Sequence, residues 1–81
     1  MKIRIIITLK KGVLDTQGKA IETSLQKNLG FAQISQVRQG KVVELDIAET
    51  DLDKIKNIVD EICDKLLVNK VIEDYKYEVI S

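Results

Sequence analysis

Lys10-Lys11-Gly12-Val13-Leu14-Asp15-Thr16-Gln17-Gly18-Lys19 joins an isoleucine-rich strand to the first helix, and its reading decides the fold. Lys10 and Lys11 end the strand with positive charge, and Gly12 breaks it. Asp15 suits a helix N-cap, its carboxylate accepting from the backbone N–H of Gln17 or Gly18. Gly18 then falls in the first helical turn, where it costs up to about 1 kcal/mol of propensity relative to Ala. A glycine kept at that cost has a reason in packing or in contact. Either it lets the helix lie close on a sheet, or the loop and helix start present a surface to another molecule.

Outward from this stretch, the patterning is regular. Upstream, residues 2–10 alternate Ile3, Ile5, Ile7 and Leu9 with Lys2, Arg4, Ile6 and Thr8, which predicts a strand with one fully apolar face. Downstream, Leu14, Gly18, Ile21, Leu25 and Leu29 recur at spacings of three and four, which predicts a helix over 15–29 with one apolar stripe. Gly30 suits the left-handed position that ends it, with Phe31 folding back as its apolar contact. A second, more polar strand is expected over 33–39, then a tight turn at Gly40 and Lys41 with glycine at positive φ. A third strand follows over 42–48, with Val43, Leu45 and Ile47 inward. Thr50 is the expected N-cap of the second helix, with Asp53 as a capping-box partner. Leu52, Ile55, Ile58, Val59, Ile62, Cys63, Leu66 and Leu67 give that helix the cleanest stripe in the chain, and Asn69 fits its C-terminal cap. Residues 71–80 close the chain as a strand, with Tyr75, Tyr77 and Val79 on one face.

The order β-α-β-β-α-β with short connections predicts one α+β domain over 1–81 of ferredoxin-like form. Its expected shape is a four-stranded antiparallel sheet, strands one and three central, with both helices on one face. The other face is mixed: Arg4, Ile6, Thr8, Arg38, Val42, Glu44, Asp46 and Lys76. A chain of 81 residues buries only about 60–65% of its unfolded surface and is marginal alone. A half-apolar open face or a free sheet edge therefore points to self-association, as a dimer or a tetramer.

Composition excludes several classes. The 13 basic and 13 acidic residues cancel, which argues against a nucleic-acid binder and leaves no self-repulsion to oppose oligomers. The expected central strands carry no aromatic residue on which a base could stack. No apolar run is long enough for a membrane, and one cysteine forms no internal disulfide; the chain reads as cytoplasmic. There is no histidine, which removes the commonest general base and metal ligand. Cys63 lies on the core stripe and reads as buried rather than nucleophilic. Gly12 and Gly18 lack the Ser or Thr of a magnesium-phosphate loop. The residues thus support a non-catalytic interaction domain. A small-molecule-binding regulatory domain, acting at a dimer interface through loops such as Lys11 to Leu14, is the alternative.

Several blocks in the same order resemble the PurS family, the small subunits of bacterial and archaeal phosphoribosylformylglycinamidine synthase. They are Thr8-Leu9-Lys10, Val13 to Ala20, Val37 to Lys41 with Glu44-Leu45, Cys63 to Asn69, and Val71-Ile72-Glu73-Asp74-Tyr75-Lys76-Tyr77-Glu78-Val79. The closing run is the most specific. The family usually has Pro where Thr16 stands; Pro is pre-organised for the first helical position, so this helix start is looser. The resemblance implies a part in purine biosynthesis. A glutaminase subunit releases ammonia from glutamine, and a large synthetase subunit adds it to formylglycinamide ribonucleotide. The small chain bridges the two and helps ammonia pass. It would bind no cofactor and hold no catalytic residue or metal; ATP and magnesium would sit on the large subunit. Lys11, Asp15, Gln17, Gly18, Lys19, Arg38 and Lys41 are the candidate partner-docking residues.

Overall fold

β1 (Lys2–Leu9) is central in the computed structural model, which covers Met1–Ser81. Its alternation places Ile3, Ile5 and Ile7 inward, at 0%, 0% and 1% exposure. β2 (Gly40–Asp46) and β3 (Glu73–Val79) flank it, both antiparallel, in the order β2-β1-β3. Ile3 lies opposite Leu45 and Val79, Ile5 opposite Val43 and Tyr77, and Ile7 opposite Lys41 and Tyr75. That register gathers Ile3, Ile5 and Ile7 with Val43, Leu45, Tyr75 and Tyr77 on one face. Across the other face, Arg4 donates to Glu44 (2.8 Å) and Glu78 (3.1 Å), so the centre of that face is a charged bridge.

Helix α2 (Leu52–Ile62), extended by a wider π-helical turn (Cys63–Leu67), covers the apolar face. Ile55, Val59 and Cys63 are each fully buried against β1, as the stripe predicts. The cap lies one residue later than expected. Asp51, not Thr50, accepts from the N–H groups of Asp53 (2.9 Å) and Lys54 (3.5 Å), because a carboxylate suits the positive helix end better than a hydroxyl. Asn69 does not cap this helix in a left-handed conformation. Val68 leaves it extended, and the Asn69 side chain accepts from Val71 N–H (3.1 Å) to start the turn into β3.

The fold departs from expectation in three linked ways. The sheet has three strands rather than four: residues 33–39 pair with no strand. Gln36 turns to φ +56°, which interrupts any extended run, and the N–H groups of Val37 and Gln39 go to side chains of the first helix and its cap. The strand expected third is consequently an edge, with β1 alone in the centre. No turn forms at Gly40 and Lys41. Gly40 opens β2 at a place where a Cβ would sit 2.6 Å from the Ile7 carbonyl oxygen.

Third, only one helix covers the sheet. α1 (Thr16–Thr23), with its π-helical turn (Ser24–Asn28), contributes nothing to the buried core. Of its stripe only Gly18 is buried; Leu14, Ile21 and Leu29 are 74%, 42% and 64% exposed. An eight-residue strand spans about 27 Å and thirteen helical residues about 20 Å. Laid end to end they match the 48 Å long axis, so α1 runs outward from the end of the sheet. The radius of gyration is 16.1 Å, against about 12 Å for a compact chain of this length. Residues 15–39 form an arm: a helix going out and an irregular segment coming back.

Candidate functional site

The arm joins the sheet at the stretch from Lys10 to Lys19. Gly12, at φ +90°, turns the chain after β1, and Val13 N–H bonds the Lys10 carbonyl (3.1 Å). Asp15 then caps α1 by accepting from Gly18 N–H at 2.8 Å, as its spacing predicts. Its other oxygen accepts from Gln39 N–H at 2.7 Å, and Arg38 stands 3.9 Å away. The Gln39 and Gly18 N–H groups, with the Arg38 charge, hold the Asp15 carboxyl below the usual carboxylate range. One buried acid therefore ties the start of the arm to its end.

Two more bonds zip the arm along its length. Glu22 accepts from Val37 N–H (3.0 Å), and the Gln26 amide donates to the Ile34 carbonyl (2.6 Å). Gly18 is explained by this pairing. A Cβ there would lie 2.7 Å from the Val37 carbonyl oxygen and 2.5 Å from an Asp15 carboxylate oxygen. The reason is close packing, but against the returning segment rather than the sheet. At the outer end, Gly30 takes φ +78° and Phe31 N–H bonds the Leu25 carbonyl (2.8 Å), the expected helix stop.

Six of the seven candidate docking residues meet at this junction. Lys11 and Arg38 line an open cleft of about 670 Å³ with Thr8, Leu9 and Gln36. Arg38 also donates to the Leu9 carbonyl (3.0 Å), strapping the arm to the end of β1. Asp15, Gln17 and Lys41 line a smaller hollow of about 260 Å³ beside Gln39, Gly40 and Glu73, where Lys41 pairs with Glu73 at 3.1 Å. Gly18 packs beneath Asp15. Lys19 lies apart on the outside of α1, paired with Glu22 at 3.2 Å. Sequence reasoning passed over Gln36, Glu22 and Glu73. Gln36 had a signal in the polar, non-alternating run 33–39, and Glu73 lies in the closing run that carries the family resemblance; Glu22 had none, since it reads as an ordinary surface acid.

The junction combines flexible cations with carboxylates that are already satisfied by backbone N–H groups. Such a set suits recognition of a polar surface rather than bond-making. No three His, Cys, Asp or Glu side chains are grouped to hold a metal ion. Cys63 is fully buried, and burial pushes its thiol up, away from the thiolate. No helix is long and apolar enough to cross a membrane.

Comparison with known proteins places this geometry. A family model described as PurS, phosphoribosylformylglycinamidine (FGAM) synthase, matches residues 2–81. The PurS subunit of Bacillus subtilis is 44% identical over 78 residues, covering 96% of this chain and 90% of that protein. That of Methanocaldococcus jannaschii is 40% identical over 78 residues, covering 96% and 93%. Among solved structures, B. subtilis PurS matches with a TM-score of 0.84 at 43% identity over 99% of this chain and 98% of that one. A chain in the structure of PurLQS from Thermotoga maritima matches at 0.88 with 30% identity over 98% and 95%. The arm is about three tenths of the chain, so agreement at this level over nearly all residues requires those proteins to carry a similarly placed arm. By sequence over nearly its whole length and by fold, the chain belongs to the PurS family of phosphoribosylformylglycinamidine synthase subunits.

Proposed function

We propose that this chain is the bridging subunit of a three-component phosphoribosylformylglycinamidine synthase in the cytoplasm, and that it docks its partners through the junction. The observation that carries the reading is the full-length likeness to a chain of the PurLQS structure. In the complex, glutamine and water give glutamate and ammonia on the glutaminase subunit. Ammonia, formylglycinamide ribonucleotide and ATP then give the amidine, ADP and phosphate on the synthetase subunit, the amide oxygen leaving in the phosphate; that subunit would hold the ATP and magnesium. This chain contributes geometry: it holds the two enzymes in register and keeps the ammonia route from water. We also propose that it self-associates, as a dimer or a tetramer. Seven buried apolar residues are a small core for 81, and Leu14, Leu29, Leu66 and Val71 stand well out in solvent.

Reconstitution tests the docking assignment. Lys11 and Arg38 are exposed, and a charge desolvated at an interface costs about 2–5 kcal/mol of binding when removed. Lys11→Ala and Arg38→Ala should each leave the isolated chain folded. At least one should lower glutamine-dependent synthesis at least tenfold, while synthesis from added ammonia survives better. Wild-type glutamine-dependent rates in both would move the docking surface elsewhere. The alternative, a metabolite sensor, is favoured only by the cationic cleft beside Lys11 and Arg38. It requires saturable heat on titration of the isolated chain with nucleotides or amino acids.

A further inference from the structure

The cleft of about 670 Å³ at the root of the arm carries positive charge that the fold leaves unpaired. Lys11 comes from the turn after β1, and Arg38 from the end of the returning segment. No carboxylate lines the cleft. The acids beside it are engaged elsewhere: Asp15 holds the Gly18 and Gln39 N–H groups, and Asp74, opposite Thr8, pairs with Lys10 at 2.7 Å. Arg38 directs Nη2 to the Leu9 and Lys10 carbonyls (3.0 and 3.4 Å), which fixes the guanidinium and leaves Nη1 without a partner. The side chains of Thr8, Lys11 and Gln36 make no hydrogen bond within the chain. Gln36 is also the one non-glycine residue at positive φ, +56°. Backbone held in that region concentrates where a side chain is aimed at a ligand.

Four free donors, two of them cationic, around a cleft without an acid select an anion. No aromatic side chain lines it, so nothing there stacks on a base. The four polar side chains are exposed, and a small free anion would keep its water and gain little from them. A carboxylate carried by a docked neighbour differs. The rest of the contact holds it at high effective concentration, and docking excludes water from the pairs. Resting on the bridging role proposed above, we infer that the cleft receives an acidic segment of a partner subunit. Its carboxylates pair with Lys11 and with Nη1 of Arg38, Gln36 and Thr8 donate beside them, and Leu9 supplies the apolar contact.

Zero-length cross-linking of the assembled complex tests this. A carbodiimide activates carboxylates, and a lysine amine within ion-pair reach attacks them to form an amide. With this chain co-purified with the glutaminase and synthetase subunits, peptide mass spectrometry should find Lys11 joined to an Asp or Glu of a partner subunit. Lys11→Arg keeps the charge but offers no such amine; it should co-elute with the partners and lose that link. Lys11→Glu should weaken assembly by about tenfold or more, with the circular dichroism retained. Added salt should weaken assembly of wild type more than that of the Lys11→Ala, Arg38→Ala double variant. Gln36→Gly relieves the left-handed strain, so it should melt no lower than wild type and yet assemble more weakly. The proposal is overturned if Lys11 links only within its own chain, or not at all, in an intact complex. Wild-type assembly by Lys11→Glu or by Gln36→Gly overturns it too. So does saturable binding of inorganic phosphate to the isolated chain that Lys11→Ala abolishes while assembly is unchanged. Co-elution without the Lys11 link removes the acidic occupant alone, whereas wild-type chains that never co-elute remove the bridging reading with it.

Discussion

Gly18 and Asp15 set the direction of the arm, and each does so by an atom-level constraint. Replacing Gly18 with Ala brings a propensity gain of up to about 1 kcal/mol in an exposed helix. Here the added Cβ would meet a backbone carbonyl, Val37, and a carboxylate that is already holding two N–H groups. Neither can give way without breaking the tie between the two halves of the arm. Gly18→Ala is therefore expected to lower the melting temperature and to speed amide exchange at Val37 and Gln39. A variant as stable as wild type, with those amides still protected, would refute the packing account. Half of this was legible in the sequence. The cap from Asp15 to Gly18 is local, three residues apart, and spacing alone predicts it. The bond from Asp15 to Gln39 spans 24 residues and leaves no periodic trace.

At the scale of elements, the two helices teach opposite lessons about amphipathic patterns. Both stripes are regular, and both helices form close to where the pattern places them. The α2 stripe is buried because its partner, the face of β1, lies in the same chain. The α1 stripe is not, because periodicity reports that an apolar face exists without saying what covers it. Residues 33–39 depart from their pattern for a related reason. A short polar run with one Val looks like a weak strand, but its donors are taken by Asp15 and Glu22. Those two carboxylates make the arm sensitive to acid. Val37 N–H and Lys19 hold Glu22 low, as Gln39 and Gly18 N–H hold Asp15. A depressed folded pKa contributes stability that is present above the ordinary values, 3.8 for Asp and 4.5 for Glu, and is lost as pH falls through the folded values. The melting temperature should thus hold steady from neutral pH to about 5, then decline. The double variant Asp15→Asn, Glu22→Gln should melt lower at neutral pH and show a shallower acid limb. An equally steep limb in the double variant would assign the acid response to other carboxylates, with Glu73, held low by Asn69 N–H, the first to test.

At the scale of the whole molecule, stability and association become one quantity. The core is a single helix on three strands, and 48 Å of length leaves much apolar surface in water. A chain of this kind gains from any process that covers the arm, and mass action makes that gain visible. Where only the associated form is folded, a hundredfold rise in concentration adds about 2.7 kcal/mol per mole of dimer. With the unfolding entropy of two such chains, that moves the midpoint by roughly 5–10 °C. Wild type melted from micromolar to hundred-micromolar concentration should show a rise of this size. Ile21→Asp should start lower and rise little, because the arm no longer has an apolar stripe to bury. A wild-type midpoint that does not depend on concentration would mean that the sheet and α2 fold without a second copy. The exposed stripe of α1 would then be free for a partner subunit rather than for this chain.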